Sequence, residues 1–274
     1  MRIGRQDQKS SAISAANAAT IVVRGRDLAQ ELIGHVDFTE HFWLLLTGAL
    51  PTAPQKRVLN ATLVAISEHG LVPSVQAARM TLAAAPESMQ GAVAAGLLGC
   101  GSVILGAAEA AGRLFDEIGQ RTAQSDLKRA CVEVLRELRA QKRAIPGFGH
   151  PLHNSVDPRA ARLLEVAAEA GVAGRHVAIA RTVETAVPEV LKRPLALNVS
   201  GAIPAVLLDA GYPLAALKGV PLLARTASLI AHLLEEQQRG IGFVLSHAAA
   251  RAISYDGAAP AGFTPGEDGS ELVR

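Results

Sequence analysis

Gly147-Phe148-Gly149-His150, followed by Asp157-Pro158-Arg159, is the stretch on which the reading of this chain turns. One imidazole stands beside two glycines, with an arginine nine residues further on. Glycine lets the backbone approach a ligand closely and adopt conformations that a Cβ forbids. Histidine takes or gives a proton near neutral pH. Arginine grips a carboxylate through two parallel hydrogen bonds. Together these residue types describe a site for an anionic small molecule that undergoes proton transfer. The plainer alternative is a glycine loop with a satisfied histidine and a surface arginine.

Helical patterns run outward from this loop, which spans residues 144–158. Downstream, the spacing predicts helices over 158–170, 175–190 and 221–238, with Arg225 near the start of the last. Residues 197–208 are mostly apolar, interrupted by Gly201 and Pro204. Upstream, Leu127, Cys131, Val134, Leu135 and Leu138 recur at steps of three and four, the mark of an amphipathic helix over 125–140. Further helices are expected over 102–118, 87–99, 74–84, 55–69 and 38–50, with Ser74 as an N-cap. Val22 to Leu28 reads as an extended piece entering a helix. The tail after Tyr255 is rich in Gly, Pro and Ala and is expected to fray. The class is all-α.

Composition agrees. Apolar residues make up 49% and aromatics 3%, so the core is built mainly of Ala, Leu, Val and Ile. Such residues favour closely packed helices. Lys and Arg total 27 against 25 Asp and Glu, a formal charge of +2, which leaves no electrostatic footprint for nucleic acid. The longest uncharged stretch, Ser88 to Ala108, nearly reaches the length of a membrane span. It contains five glycines, a glutamine and two serines, and is read as buried helix rather than membrane segment. Gly91, Ala95 and Gly99 within it suit close approach to a partner helix. The polar N-terminus lacks the apolar core of a signal peptide, and a cytoplasmic location is expected.

Cys100 and Cys131 have no CxxC partner and are read as small buried hydrophobes. Of the eight histidines, none has HExxH spacing, so no metal site is expected. His69 precedes Gly70 at a helix end, where a histidine often only complements the helix dipole. There is no GxSxG elbow, no P-loop and no convincing GxGxxG after a strand.

Five segments in order resemble the citrate synthase superfamily. They are Arg24 to Leu28 with Phe38 to Glu40 and Leu44 to Thr52; Glu68-His69-Gly70-Leu71-Val72-Pro73-Ser74; Gly147 to His150 with Asp157 to Arg159; Leu197-Asn198-Val199-Ser200-Gly201; and Arg225-Thr226 with Ala231-His232 and Glu235. The resemblance runs from about Arg24 to His247. Full citrate synthases carry a histidine and two glycines where this chain reads Ile104-Leu105-Gly106-Ala107-Ala108-Glu109. The citryl-CoA lyase module of ATP-citrate lyase also lacks that histidine, and the chain looks nearer to that lyase-like branch.

The resemblance implies a citrate synthase-like all-α fold, with a large helical domain (1–106 and 206–274) and a smaller inserted helical domain (107–205). It implies that His69, Arg159 and Arg225 hold carboxylates of citrate or an oxaloacetate-like acid, with Asn198 beside them. His150 would move the proton of the substrate hydroxyl. Lys192 and Arg193, with Gly147 and Gly149, would lie at the coenzyme A site; the alternative for the two cations is a solvated pair before Pro194. A coenzyme A thioester is expected as substrate, with no permanently bound cofactor, and a homodimer packed through the helices between Ser88 and Ala110.

Two departures stand out. Leu105 or Ile104 replaces the histidine that polarises the thioester carbonyl. Ser200 replaces the family's acid–base carboxylate, and losing such a group typically costs about 10²–10⁴-fold in rate. Asp209, nine residues on, is too far along a helix to substitute simply. The residues of the carboxylate pocket are thus kept, and those of acyl-CoA enolisation are altered. The expected function is a citryl-CoA lyase-like enzyme that makes or breaks a C–C bond between an acyl-CoA and a 2-oxo acid. The alternatives are a catalytically weak binder of a carboxylate or CoA and, last, a CoA-thioester hydrolase.

Overall fold

The computed structural model describes residues 9–101, 105–149 and 156–262. It opens on a small antiparallel sheet, Ser14–Ala16, Ile21–Val23 and Arg26–Asp27 (β1–β3), in which Ser14 pairs Val23 and Val23 pairs Arg26. Arg24 and Gly25 make the β2–β3 turn with positive φ, and Asp27 caps a π-helical turn over Leu28–Leu32. The remaining named elements are helical: α1 (Phe38–Thr47), α2 (Ala53–Ser67), α3 (Pro73–Ala84), α4 (Met89–Leu98), α5 (Ala107–Arg121), α6 (Leu127–Ala140), α7 (Pro158–Glu169), α8 (Arg175–Leu191), α9 (Val199–Asp209), a 3₁₀ turn (Leu214–Ala216), α10 (Gly219–Gln238) and α11 (Gly242–Ala252).

Most helices start and stop where their residues dictate. Asp37 and Glu40 form a reciprocal capping box at the start of α1, and Gly48 ends it in the left-handed conformation. Asp126 and Asp157 cap α6 and α7, the latter with Pro158 in the first turn.

Four expectations need correction. Ser74 is not the N-cap of α3: Val72 takes that position, Pro73 starts the helix, and Ser74 is buried inside the first turn. The helix expected from residue 102 begins at Ala107, because Leu105 and Gly106 form a turn. Gly201 and Pro204 do not interrupt α9; Pro204 sits in the helix among buried neighbours, where packing outweighs propensity. Helix α11 was not expected at all. Its sequence from Gly242 shows no strong apolar stripe, and only Gly242 in it is buried.

The chain divides into two compact units, one of residues 1–62 and 108–217, the other of 63–107 and 218–274. This partition differs from the family-based large and inserted domains, placing residues 1–62 with 108–217. In the first unit, α6 packs on α8, and α7 and α8 pack on α9. Trp43 meets Tyr212 edge-on at 5.7 Å between ring centroids, and Phe115 meets Phe148 at 6.4 Å. The Gln55 amide donates to the Ala210 carbonyl at 2.8 Å and ties α2 to the end of α9.

In the second unit, α3, α4 and α10 pack around Val75, Ala78, Leu82, Ala92, Leu229 and Leu233. Gly96 is what lets α4 come this close. A Cβ there would stand 2.8 Å from both the Ser74 carbonyl and a Leu229 methyl. Arg79 is buried and pairs with Glu236 at 2.6 Å and Glu235 at 2.7 Å, while Glu236 also accepts the N–H groups of Ile241 and Gly242 at the start of α11. By length and composition alone, Leu214–Gln238 would suit a membrane span. Within the second unit α10 instead buries Arg225 and Glu236 together with Leu229 and Leu233.

Candidate functional site

In the first unit, the chemistry collects where the 144–149 loop meets the start of α9. Gly147 and Gly149 both have φ near +80°, which a side chain would strain. The loop pairs with the segment before α9: Gly149 N–H donates to the Ala196 carbonyl at 2.8 Å, and Asn198 N–H donates to the Gly147 carbonyl at 2.9 Å. A Cβ on Gly147 would stand 2.6 Å from the Gly201 Cα. Two glycines therefore make this crossing possible. Asn198 caps α9 and also donates its side-chain amide to the Gly149 carbonyl at 2.6 Å. Its role in the described structure is to hold the glycine loop against the helix.

Asp157 is the hub of this region, only 1% exposed. Its carboxylate caps α7, takes the Val199 N–H at 2.9 Å, and receives the Arg159 Nε and Nη2 at 3.1 and 3.0 Å. Burial works to raise the Asp157 carboxyl. The Arg159 guanidinium and the Val199 N–H outweigh it and hold the group below the usual carboxylate range. Arg159 is thus fixed by a two-point pair, one-fifth exposed, and Nη1 makes no hydrogen bond among the described residues. That is the form of an arginine aimed by one carboxylate toward another.

Ser200 is half-buried in the first turn of α9, beside the Asn198 cap. The carboxylates nearest to it along the chain are already engaged. Asp209 is buried at the far end of α9. It accepts the N–H groups of Gly174, His176 and Val177 and lies 2.8 Å from His176 Nδ1. Burial pushes its carboxyl up, and these donors pull it lower still. It anchors the start of α8 and is committed there. Lys192 ends α8 in the left-handed conformation, and both Lys192 and Arg193 are exposed. His150 lies outside the described residues, as does Ile104. Leu105 has φ +66°, unusual for a leucine, in the turn before α5.

In the second unit, Arg225 is 3% exposed on α10. Among the described residues its Nε and Nη1 are buried without a hydrogen-bond partner, and Nη2 has only a long contact, 3.5 Å, to the Ile66 carbonyl. A buried guanidinium is expensive unless an anion meets it. Ser74 Oγ is likewise buried without a full hydrogen bond among the described residues. The Cys100 thiol shares this neighbourhood: burial pushes its pKa up, and the Arg225 charge and the nearby Ser74 hydroxyl work against that rise.

His69 follows α2, where Glu68 organises the turn. One Glu68 oxygen accepts the main-chain N–H groups of His69 and Gly70. The other accepts the Ser228 hydroxyl and lies 3.0 Å from His232 Nε2. Burial would raise the Glu68 carboxyl, but Ser228, Gly70 and His232 together lower it. Glu68, Ser228 and His232 therefore fix the backbone that carries His69. The sequence motifs single out His69 and Arg225, give Asp157 and Glu68 no role, and present Ser74 only as an N-cap. Each of the three lies inside a quoted motif segment, so the clue was present but their partners were not.

Among the described residues, no group of three or more His, Cys, Asp or Glu is arranged to hold a metal ion. Both cysteines are free and buried, as expected.

The citrate synthase C-terminal domain profile matches residues 53–242. The chain is similar to citryl-CoA lyase from Hydrogenobacter thermophilus, at 30% identity and a TM-score of 0.81, over 96% of this chain and 98% of that one. It shares the fold of Methanosaeta concilii ATP citrate lyase, solved in complex with (3S)-citryl-CoA (21% identity, TM-score 0.70, 87% of this chain and 40% of that one). It also shares the fold of citrate synthase from Thermoplasma acidophilum, solved with carboxymethyl coenzyme A and oxaloacetate (23% identity, TM-score 0.62, 74% of this chain and 54% of that one). With the family match covering more than half its length, the mainly helical fold and the lyase-like relative spanning both chains almost entirely, this chain belongs to the citrate synthase superfamily, on its citryl-CoA lyase-like branch.

Proposed function

We propose that this protein is a citryl-CoA lyase-like enzyme that makes or breaks a C–C bond between an acyl-CoA and a 2-oxo acid. The observation that carries the reading is Arg225: a guanidinium 3% exposed, with two nitrogens lacking a partner among the described residues. Such a group needs an anion, and a substrate carboxylate supplies one with matching geometry. Family membership and the near-complete correspondence to a citryl-CoA lyase support the choice of citryl-CoA or a close analogue.

In this reading Arg225, Arg159 and His69 bind the carboxylates of the acid. Asp157 aims Arg159, and Glu68 fixes the turn that presents His69. In the cleavage direction His150 accepts the proton of the citryl hydroxyl while the C–C bond breaks. The electron pair of that bond passes to the acyl-CoA α-carbon as an enolate, and the hydroxyl carbon becomes the ketone of oxaloacetate. The enolate then takes a proton to give acetyl-CoA. The exposed Lys192 and Arg193 supply positive charge for the phosphates of coenzyme A. The protein acts as a cytoplasmic homodimer without a resident cofactor.

Ser200 favours a second reading, a weakly catalytic binder of carboxylate or CoA. Serine is a poor proton donor to an enolate, and Asp157 and Asp209 are both committed to structural hydrogen bonds. Incubation with citryl-CoA separates these readings. Acetyl-CoA and oxaloacetate in equal amounts are expected of the lyase. Free CoA and citrate would instead indicate a thioester hydrolase. No turnover, with a citrate-dependent rise in melting temperature, would indicate the binder.

A further inference from the structure

The second unit holds another unsatisfied buried donor that the sequence motif does not explain. Ser74 is 1% exposed, and among the described residues its hydroxyl meets no hydrogen-bond partner at full geometry, only the weakly accepting thiol of Cys100. A hydroxyl in a helix usually turns back to a carbonyl of the preceding turn, as Thr62, Thr81 and Thr226 all do here. Ser74 stands in the first turn of α3, where no such carbonyl is available. The same position leaves the helix start open. Val72 provides no side-chain cap and Pro73 has no N–H, so the first main-chain N–H of α3 is that of Ser74.

Ser74 and Arg225 belong to one neighbourhood within the second unit. The Ser74 carbonyl and the Leu229 side chain both close on Gly96, each 2.8 Å from where its Cβ would be. Leu229 is one helical turn after Arg225 on α10. Cys100, whose thiol lies 3.4 Å from the Gly96 carbonyl, feels the Arg225 charge. Three kinds of donor thus gather around Cys100 and Gly96: a guanidinium, a hydroxyl and an uncapped helix start. Each favours negative charge, and among the described residues Arg225 Nε and Nη1 and the Ser74 hydroxyl meet no oxygen acceptor, the thiol of Cys100 being the polar group that faces Ser74.

We infer that Ser74 is a ligand to the same substrate carboxylate as Arg225, receiving one carboxylate oxygen on its hydroxyl at the open start of α3 while Arg225 takes the other. This rests on the reading of Arg225 as a carboxylate holder and adds a specificity-determining residue to it. An acid lacking a carboxylate at that position would leave both donors buried and unpaired, so the pair rejects neutral analogues.

The test is citrate binding to the full-length protein by titration calorimetry, comparing wild type with Ser74→Ala, Ser74→Cys and Arg225→Met. Ser74→Ala is expected to bind citrate roughly tenfold more weakly, the effect of one hydrogen bond to a charged group. Its ligand-free melting temperature should equal or exceed that of wild type, because an unsatisfied buried hydroxyl is removed. Ser74→Cys keeps the size and should show the same weakening, which guards against a folding defect in the alanine variant. Wild-type affinity in both Ser74 variants would overturn the inference while leaving Arg225 in place. Wild-type affinity in Arg225→Met, or no citrate uptake by the wild type, would overturn the underlying reading and this inference with it.

Discussion

Two arginines carry the proposed carboxylate chemistry, and they are kept in opposite ways. In the first unit Arg159 is paired by Asp157, which also ties together the starts of α7 and α9. In the second unit Arg225 is more deeply buried and pairs with no carboxylate among the described residues. A paired arginine supports the fold and presents what is left of its donor set. An unpaired one weakens the resting fold and keeps most of its donor set for a ligand. Structural and functional polar groups can be told apart by this criterion, because selection for stability alone would fill or remove the second kind.

The largest consequence is expected at Asp157. Replacing it with alanine strands Arg159 and leaves the Val199 N–H and the start of α7 without an acceptor. The loss is expected to be ~3 kcal/mol of unfolding free energy, measured by denaturant titration, as for other broken buried pairs. Loss of less than about 1 kcal/mol would erase the distinction between the two arginines.

Close behind is Ser200. Ser200→Asp is expected to raise citryl-CoA cleavage by about 10²-fold or more if the missing acid–base group alone limits the rate. A fast wild type with no gain in the variant would show that the chain protonates the enolate by another group.

A smaller effect is expected at the glycine crossing. Gly147→Ala places a methyl at positive φ and against the Gly201 backbone, costing on the order of 2 kcal/mol in thermal unfolding. An unchanged melting temperature would mean that the loop can leave α9 without consequence.

The smallest effect is in the acid response. Asp157, Asp209 and Glu68 all have pKa values below their ordinary ones. Groups of this kind stabilise the fold fully above the unfolded carboxylate pKa, near 4, and the contribution is lost as pH falls through the lowered folded value. Stability should therefore be level near neutrality and decline below about pH 4. Asp209→Asn should flatten part of that decline, read as the pH dependence of the denaturation midpoint.

Much of the fold was legible because the helices obey local rules. The 3.6-residue apolar stripes of α6 and α7, the Asp37 box and the Asp157-Pro158 start are all written in neighbouring residues. What was not legible depends on distant partners. Pro204 reads as a breaker but is held inside α9 by burial. Ser74 reads as a cap because serine precedes an apolar run; Pro73 displaces the helix start by occupying the one position where its missing N–H is harmless. The site divides in the same way. His69, Arg159 and Arg225 stand out through motif order, whereas Asp157 and Glu68 acquire meaning only when the groups they hold are seen.

The central claim is that Arg225 is kept unpaired for a substrate carboxylate, and a thermal melt of Arg225→Met with and without citrate tests it most directly. The account predicts a variant that melts no lower than wild type when free of ligand and gains nothing from citrate. A variant that melts well below wild type, yet is still raised by citrate as the wild type is, would contradict it.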